Sequence, residues 1–162
     1  MMAVKNSYPN LPEIKYSPTK IGMPYVVAHA RTLIGLYGLV PVQVALAIFR
    51  NESANGNKGV NNGYCGTQAD VGRWDVDWSK LSGKPIGTSV KVDNSGAARR
   101  FLCFDADCGY KASLELATIK AKQKGIVDGV TYYAKWVNNG TPDPNDVKDF
   151  DRLLNGIKAN FS

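Results

Sequence analysis

Between Ser53 and about Arg100 glycine recurs so often that no helix of useful length fits. Gly56, Gly59, Gly63, Gly66, Gly72, Gly83, Gly87 and Gly96 punctuate this stretch, and each glycine inside a helix costs about 1 kcal/mol relative to alanine. The segments between them suit loops and short strands. Ile86 to Val92 carries β-branched residues in partial alternation, and Arg99 to Phe104 is a second short strand candidate. On either side the apolar residues return to helical spacing. The order helices, small β region, helices predicts an α+β domain that is mainly helical and built around one core.

The flanking helices can be placed from their stripes and stops. Val26, Ala30, Leu33 and Tyr37 fall on one face, with Gly38 as the terminating residue. Pro41 reads as the first residue of a second helix, whose stripe of Val44, Ala45, Ile48 and Phe49 runs to Glu52. After the β region, helical pattern spans about Asp107 to Lys124 with Leu114 and Ala117 on one face, and Gly125 ends it. A short helix over Thr131 to Val137 is closed by Gly140. After Pro142-Asp143-Pro144 an amphipathic helix carries Val147, Phe150, Leu154 and Ile157. Residues 1–20 hold Pro9, Pro12 and Pro18 without periodicity and read as an extended arm, leaving 21–162 as the folded domain.

Composition narrows the possible partners. A chain of 162 residues with 44% apolar and 21% charged content suits a globular protein with a real core. The net charge of +6 favours a polyanionic partner: nucleic acid, an anionic membrane surface or a phosphate-rich bacterial wall. The longest apolar stretch, around Leu39 to Phe49, is far short of the roughly 20 residues that span a bilayer. Met1 to Pro12 lacks the apolar segment of a secretory signal, so export would need another route. Cys65, Cys103 and Cys108 are too few for a disulfide framework and read as free thiols, although Cys103 and Cys108 are close enough in sequence to pair across a tight loop. With no Cys-x-x-Cys pair and His29 as the single histidine, no zinc site or other cofactor is expected.

Glu52 is the residue whose position suggests chemistry. Glutamate is scarce, with Glu13 in the arm and Glu115 in a helix as the others. At a helix C-terminus the macrodipole opposes a negative charge, which raises the expected pKa and keeps a proton available. Most glutamates at helix ends are simply solvated. The residues around Glu52 argue for more than that.

Ala45-Leu46-Ala47-Ile48-Phe49-Arg50-Asn51-Glu52-Ser53 resembles the helix-end Glu-Ser motif of soluble lytic transglycosylases and goose-type lysozymes. Gln68 comes sixteen residues after Glu52, and Gly66-Thr67-Gln68 resembles a shortened form of their Gly-Leu-Met-Gln strand. Tyr132-Tyr133-Ala134-Lys135-Trp136 is similar to the aromatic helix that lines the cleft in lysozyme-like domains. The resemblance covers about residues 40–140 in its order of elements. It implies a lysozyme-like fold and cleavage of the β-1,4 bond between N-acetylmuramic acid and N-acetylglucosamine in peptidoglycan, with Glu52 as general acid and base. Substrate contacts would come from Ser53, Tyr64, Gln68, Asp70, Trp74 and Tyr133. A lytic transglycosylase needs no second carboxylate, because a substrate hydroxyl closes an anhydro ring. An inverting lysozyme needs one roughly 6.5–9.5 Å away, for which Asp70 is nearest in sequence and Asp75 and Asp77 follow.

The same resemblance implies action at the bacterial cell wall and, for a short basic chain without a leader, delivery by phage lysis or a virion. A non-catalytic wall-binding or virion structural module would share these features without turnover. Nucleic-acid binding rests on charge alone and lacks a basic helix with base-reading residues. Lys120, Lys122 and Lys124 read as a solvated basic face.

Overall fold

The computed structural model describes residues 7–69, 81, 83–92, 95–138 and 140–162. Its chain order is β1 (Pro18–Thr19), α1 (Met23–Tyr37), α2 (Leu39–Ser53), β2 (Gly59–Val60), β3 (Gly87–Val92), β4 (Ala98–Cys103), α3 (Gly109–Lys124), α4 (Gly129–Tyr132), a π-helical turn (Tyr133–Val137) and α5 (Pro144–Asn160). The fold is α+β and mainly helical, with two small antiparallel sheets. No described helix is long and apolar enough to cross a membrane.

Helix α2 is the centre. Every residue from Val42 to Phe49 is buried, so its contacts run all the way round rather than along one stripe. Helices α1, α3 and α5 pack against it. The cost of so complete a burial falls on Gln43, which is met by a hydrogen bond from its Nε2 to the Phe161 carbonyl at 2.8 Å. The helix also begins earlier than Pro41 alone suggests. Its first residue is Leu39, directly after Gly38, and Pro41 as third residue still loses no helical bond, because the first four N–H groups have no partner inside the helix. Gly38 closes α1 and opens α2 with φ at 92°. That conformation requires glycine, and its N–H caps the Ile34 carbonyl at 2.8 Å.

Helix α3 departs most from its sequence pattern. Glu115 and Lys120 are both buried, 4% exposed, so Lys120 does not belong to the solvated basic face, whereas Lys122 and Lys124 do. Glu115 takes a hydrogen bond from His29 on α1 at 3.0 Å. The single histidine thus joins two helices.

The arm is held by backbone pairing. Residues Pro18–Thr19 pair antiparallel with Gly59–Val60, while the Ile14 amide donates to Thr88 and the Thr88 amide donates to Pro12. Tyr8 and Leu11 cover a small second core of Ala69, Leu102, Phe104 and Ala112. Strands β3 and β4 form a hairpin in which Gly87 faces Cys103 and Val92 faces Ala98. On its other edge, residues 67–69 pair with β4 through the Leu102 amide to Thr67 and the Ala69 amide to Arg100. Cys65, Cys103 and Cys108 are free thiols, so Cys103 and Cys108 do not pair.

Gly109, the first residue of α3, lies directly against the backbone of Asn62. A Cβ at that point would overlap the Asn62 carbonyl oxygen, and neither backbone can yield without moving α3 or the loop before the cleft. Gly109→Ala is expected to lower unfolding stability by about 2 kcal/mol, the usual scale of overpacking. Urea denaturation measures it, and a midpoint equal to the parent's would refute the close packing.

Candidate active site

The end of α2 delivers Glu52 to a concave cleft of 140 Å³. Glu52, Lys58, Tyr64, Thr67, Lys91 and Phe101 contribute to its walls. The helix ends there for a local reason: Ser53 bends back to donate to the Phe49 carbonyl at 2.5 Å and accepts the Gly56 amide at 2.9 Å. Ala54 then takes the left-handed conformation, with φ at 47°. Ser53 is fully buried. Its hydroxyl fixes the turn after Glu52 instead of facing a substrate.

Two aromatic residues far along the chain complete the surroundings of the carboxylate. The Tyr132 hydroxyl donates to Glu52 Oε1, and Trp136 supplies a second side-chain hydrogen bond. Asn51, beside Glu52 on α2, donates from Nδ2 to the Tyr132 hydroxyl at 3.1 Å. The Tyr132 ring is 1% exposed. It stacks on Phe150 at 4.2 Å with planes 8° apart and meets the edge of Tyr133 at 4.9 Å. Packing against α5 therefore sets where the hydroxyl points. The start of α4 is fixed in turn by a capping box, in which Asp128 accepts the Thr131 amide at 2.9 Å and Thr131 caps the Asp128 amide.

Electrostatics follow from this enclosure. Desolvation pushes the Glu52 pKa above its ordinary range, and the hydrogen bonds from Tyr132 and Trp136 pull it back part of the way. Glu52 as a residue remains solvent-exposed. The two facts agree if the carboxyl group sits against a protein wall that displaces water on one side while the other side stays open to a ligand. The open side limits the size of the shift. Desolvation and the charge of Glu52 drive the Tyr132 hydroxyl far above its usual range, so it stays a hydrogen-bond donor. Burial, with the charge of Glu52 added to it, pushes Cys65 well up and keeps it an inert thiol.

The remaining sequence-derived site residues divide clearly. Tyr64 lines the cleft from a buried position, its ring 5.4 Å from Phe49. Tyr133 is half-buried beside Tyr132 rather than in the cleft lining. Gln68 pairs with Phe101 in an antiparallel bridge and is absent from the lining, whereas Thr67 is present in it. Successive residues of a strand point to opposite faces, so the position that reaches the cleft is one earlier than the motif suggests. Thr67 Oγ1 is buried there with no hydrogen-bond partner among the described residues. Asp70, Trp74, Asp75 and Asp77 lie outside the described residues.

Chemically, the arrangement presents a protonatable carboxyl group held by two hydrogen-bonding side chains at a cleft with two lysines in its wall. That is the equipment of a general acid. Among the described residues lining the cleft, Glu52 is the only carboxylate. No group of three metal-ligating side chains occurs among the described residues. Comparisons with protein-family models, with curated proteins and with solved structures found no match for this chain.

Proposed function

We propose that this protein is a peptidoglycan-degrading glycosidase, a lytic transglycosylase or lysozyme, in which Glu52 acts as general acid and then general base on the β-1,4 bond between N-acetylmuramic acid and N-acetylglucosamine. The observation that carries the reading is the cleft carboxylate with a raised pKa, gripped by Tyr132. A carboxyl group whose pKa is raised keeps its proton to higher pH than a solvated glutamate, and a departing sugar oxygen requires such a proton. Once the bond breaks, the carboxylate left behind is stabilised by the donors from Tyr132 and Trp136. It then takes the proton of the group that attacks the anomeric carbon. The cleft's lone described carboxylate suits the transglycosylase course, in which the attacking group is a hydroxyl of the substrate itself. The basic character of the chain and of the cleft walls suits an anionic wall as partner. The site of action would be the bacterial cell wall.

Purified protein is expected to release soluble muropeptides from isolated peptidoglycan sacculi. Mass spectrometry of the released ends decides the course: anhydro-muramyl ends are one water lighter than hydrolysed ends. Sacculi that bind the protein and yield no product would overturn the enzymatic reading in favour of a wall-binding module.

A further inference from the structure

A larger depression lies away from the cleft, between α1, the second half of α2 and α5, with a volume of 580 Å³. Its floor is apolar: Met23 and Val27 from α1, Leu46 from α2, and Leu153 and Ile157 from α5. Three arginines, Arg31, Arg50 and Arg152, also line it, one from each helix, and no Asp or Glu does so among the described residues. The volume falls within the range of about 300–1,000 Å³ common for small-molecule sites. An apolar lining with three arginines in its wall is complementary to a molecule with an apolar chain and an acidic head.

The arginines keep unused capacity. Arg31 lies 4.8 Å over the Phe161 ring and donates to the Ser162 carbonyl at 3.2 Å. Arg50 Nε donates to Asn55 at 2.8 Å. Arg152 meets Asp149 at 3.4 Å in a pair exposed on both sides, of a kind that adds little stability. Each guanidinium has five N–H donors, so beyond its bonds to the described residues every one of the three retains several for a ligand. The α5 wall has a matching feature. Gly156 stands inside the helix with φ in the ordinary helical range, and a Cβ there would meet nothing within 4 Å. Alanine would fit and favour the helix by about 1 kcal/mol. Glycine instead leaves the depression open down to the helix backbone.

We infer that this depression binds a monomeric single-chain anionic lipid, its chain along Val27, Leu46 and Ile157 and its acidic head between Arg31, Arg50 and Arg152. The inference is independent of the glycosidase reading, since none of these residues touches the cleft. The test is titration of the full chain with dodecyl phosphate below its micelle concentration, followed by calorimetry. Dodecyl maltoside serves as the neutral-headed control and inorganic phosphate as the chainless one. Dodecyl phosphate is expected to bind at least about tenfold more tightly than either control, the scale of one or two charge-assisted hydrogen bonds. Gly156→Leu, which fills the depression without opposing the helix, is expected to weaken binding about tenfold or more while leaving release of muropeptides unchanged. Arg50→Gln combined with Arg152→Gln is expected to erase the preference for the charged head. Equal affinity for dodecyl maltoside, unchanged binding by a folded Gly156→Leu protein, or association confined to micelles or anionic vesicles would each overturn the inference.

Discussion

Glu52→Gln is expected to release glycan fragments about 100- to 10,000-fold more slowly than the parent, the range spanned by loss of a positioned general acid. The substitution preserves shape and an acceptor for the Tyr132 hydroxyl, so the aromatic cluster under the carboxylate keeps its geometry. Stability supplies a second readout with a definite sign. Because the folded pKa of Glu52 is raised above its ordinary value of 4.5, the native protein holds more protons than the unfolded chain between those two values. Its stability therefore falls as pH rises through that window. Glutamine has no such dependence. The variant is thus expected to melt at or above the parent temperature near pH 7, with the difference closing below pH 4.5. Lytic activity equal to the parent's in a folded Glu52→Gln protein would remove Glu52 from the mechanism. A variant that melts lower at pH 7, with the gap opening as pH rises, would contradict the desolvated carboxyl group.

The features legible in the sequence were those written in local spacing. Helix α2 and its end beside Glu52, at Ser53, follow from the apolar run and the glycine-rich stretch after it, and the β3–β4 hairpin follows from β-branched segments set between turn residues. Features set by distant packing were not legible. The stripe of Val44, Ala45, Ile48 and Phe49 marks one buried face, yet α1, α3 and α5 close around α2 and bury Val42, Leu46 and Ala47 as well. Lys120 has the helical phase of a surface residue, yet the packing around α3 leaves it only 4% exposed. The short helix before α5 ends at Asn138, which takes φ of 48°, rather than at Gly140. Asparagine tolerates that conformation well enough to stop a helix where glycine was expected.

The candidate site shows the same division. Glu52 could be found because its signal is contiguous. Tyr132 lies 80 residues away in sequence, and its run of aromatic residues is equally compatible with core packing. Both descriptions hold: the ring belongs to the core and the hydroxyl to the site. Asn51, adjacent to Glu52, is exposed and offers no such signal; only the fold brings the Tyr132 hydroxyl to its Nδ2. Gln68 shows how a one-residue step in a strand exchanges the face presented, with Thr67 taking the cleft side.

Tyr132→Phe tests whether that hydroxyl positions the acid. Removing it takes one donor from Glu52 and one acceptor from Asn51 while keeping the ring stacked on Phe150. The loss of a hydrogen bond to a charged group is worth about 1.5–3 kcal/mol, which corresponds to an expected fall in turnover of roughly 10- to 150-fold. The direction of the pH effect separates positioning from general damage. The Tyr132 bond lowers the Glu52 pKa, so without it the pKa rises further above its ordinary value. Activity that depends on protonated Glu52 is then lost at a higher pH, and the basic limb of the rate profile moves upward. A merely loosened fold would lower the whole profile without moving that limb. An unmoved limb in a protein with parental melting behaviour would mean that Tyr132 supports the core alone, and that the Glu52 pKa is set by desolvation against the surrounding wall, opposed only by the Trp136 hydrogen bond.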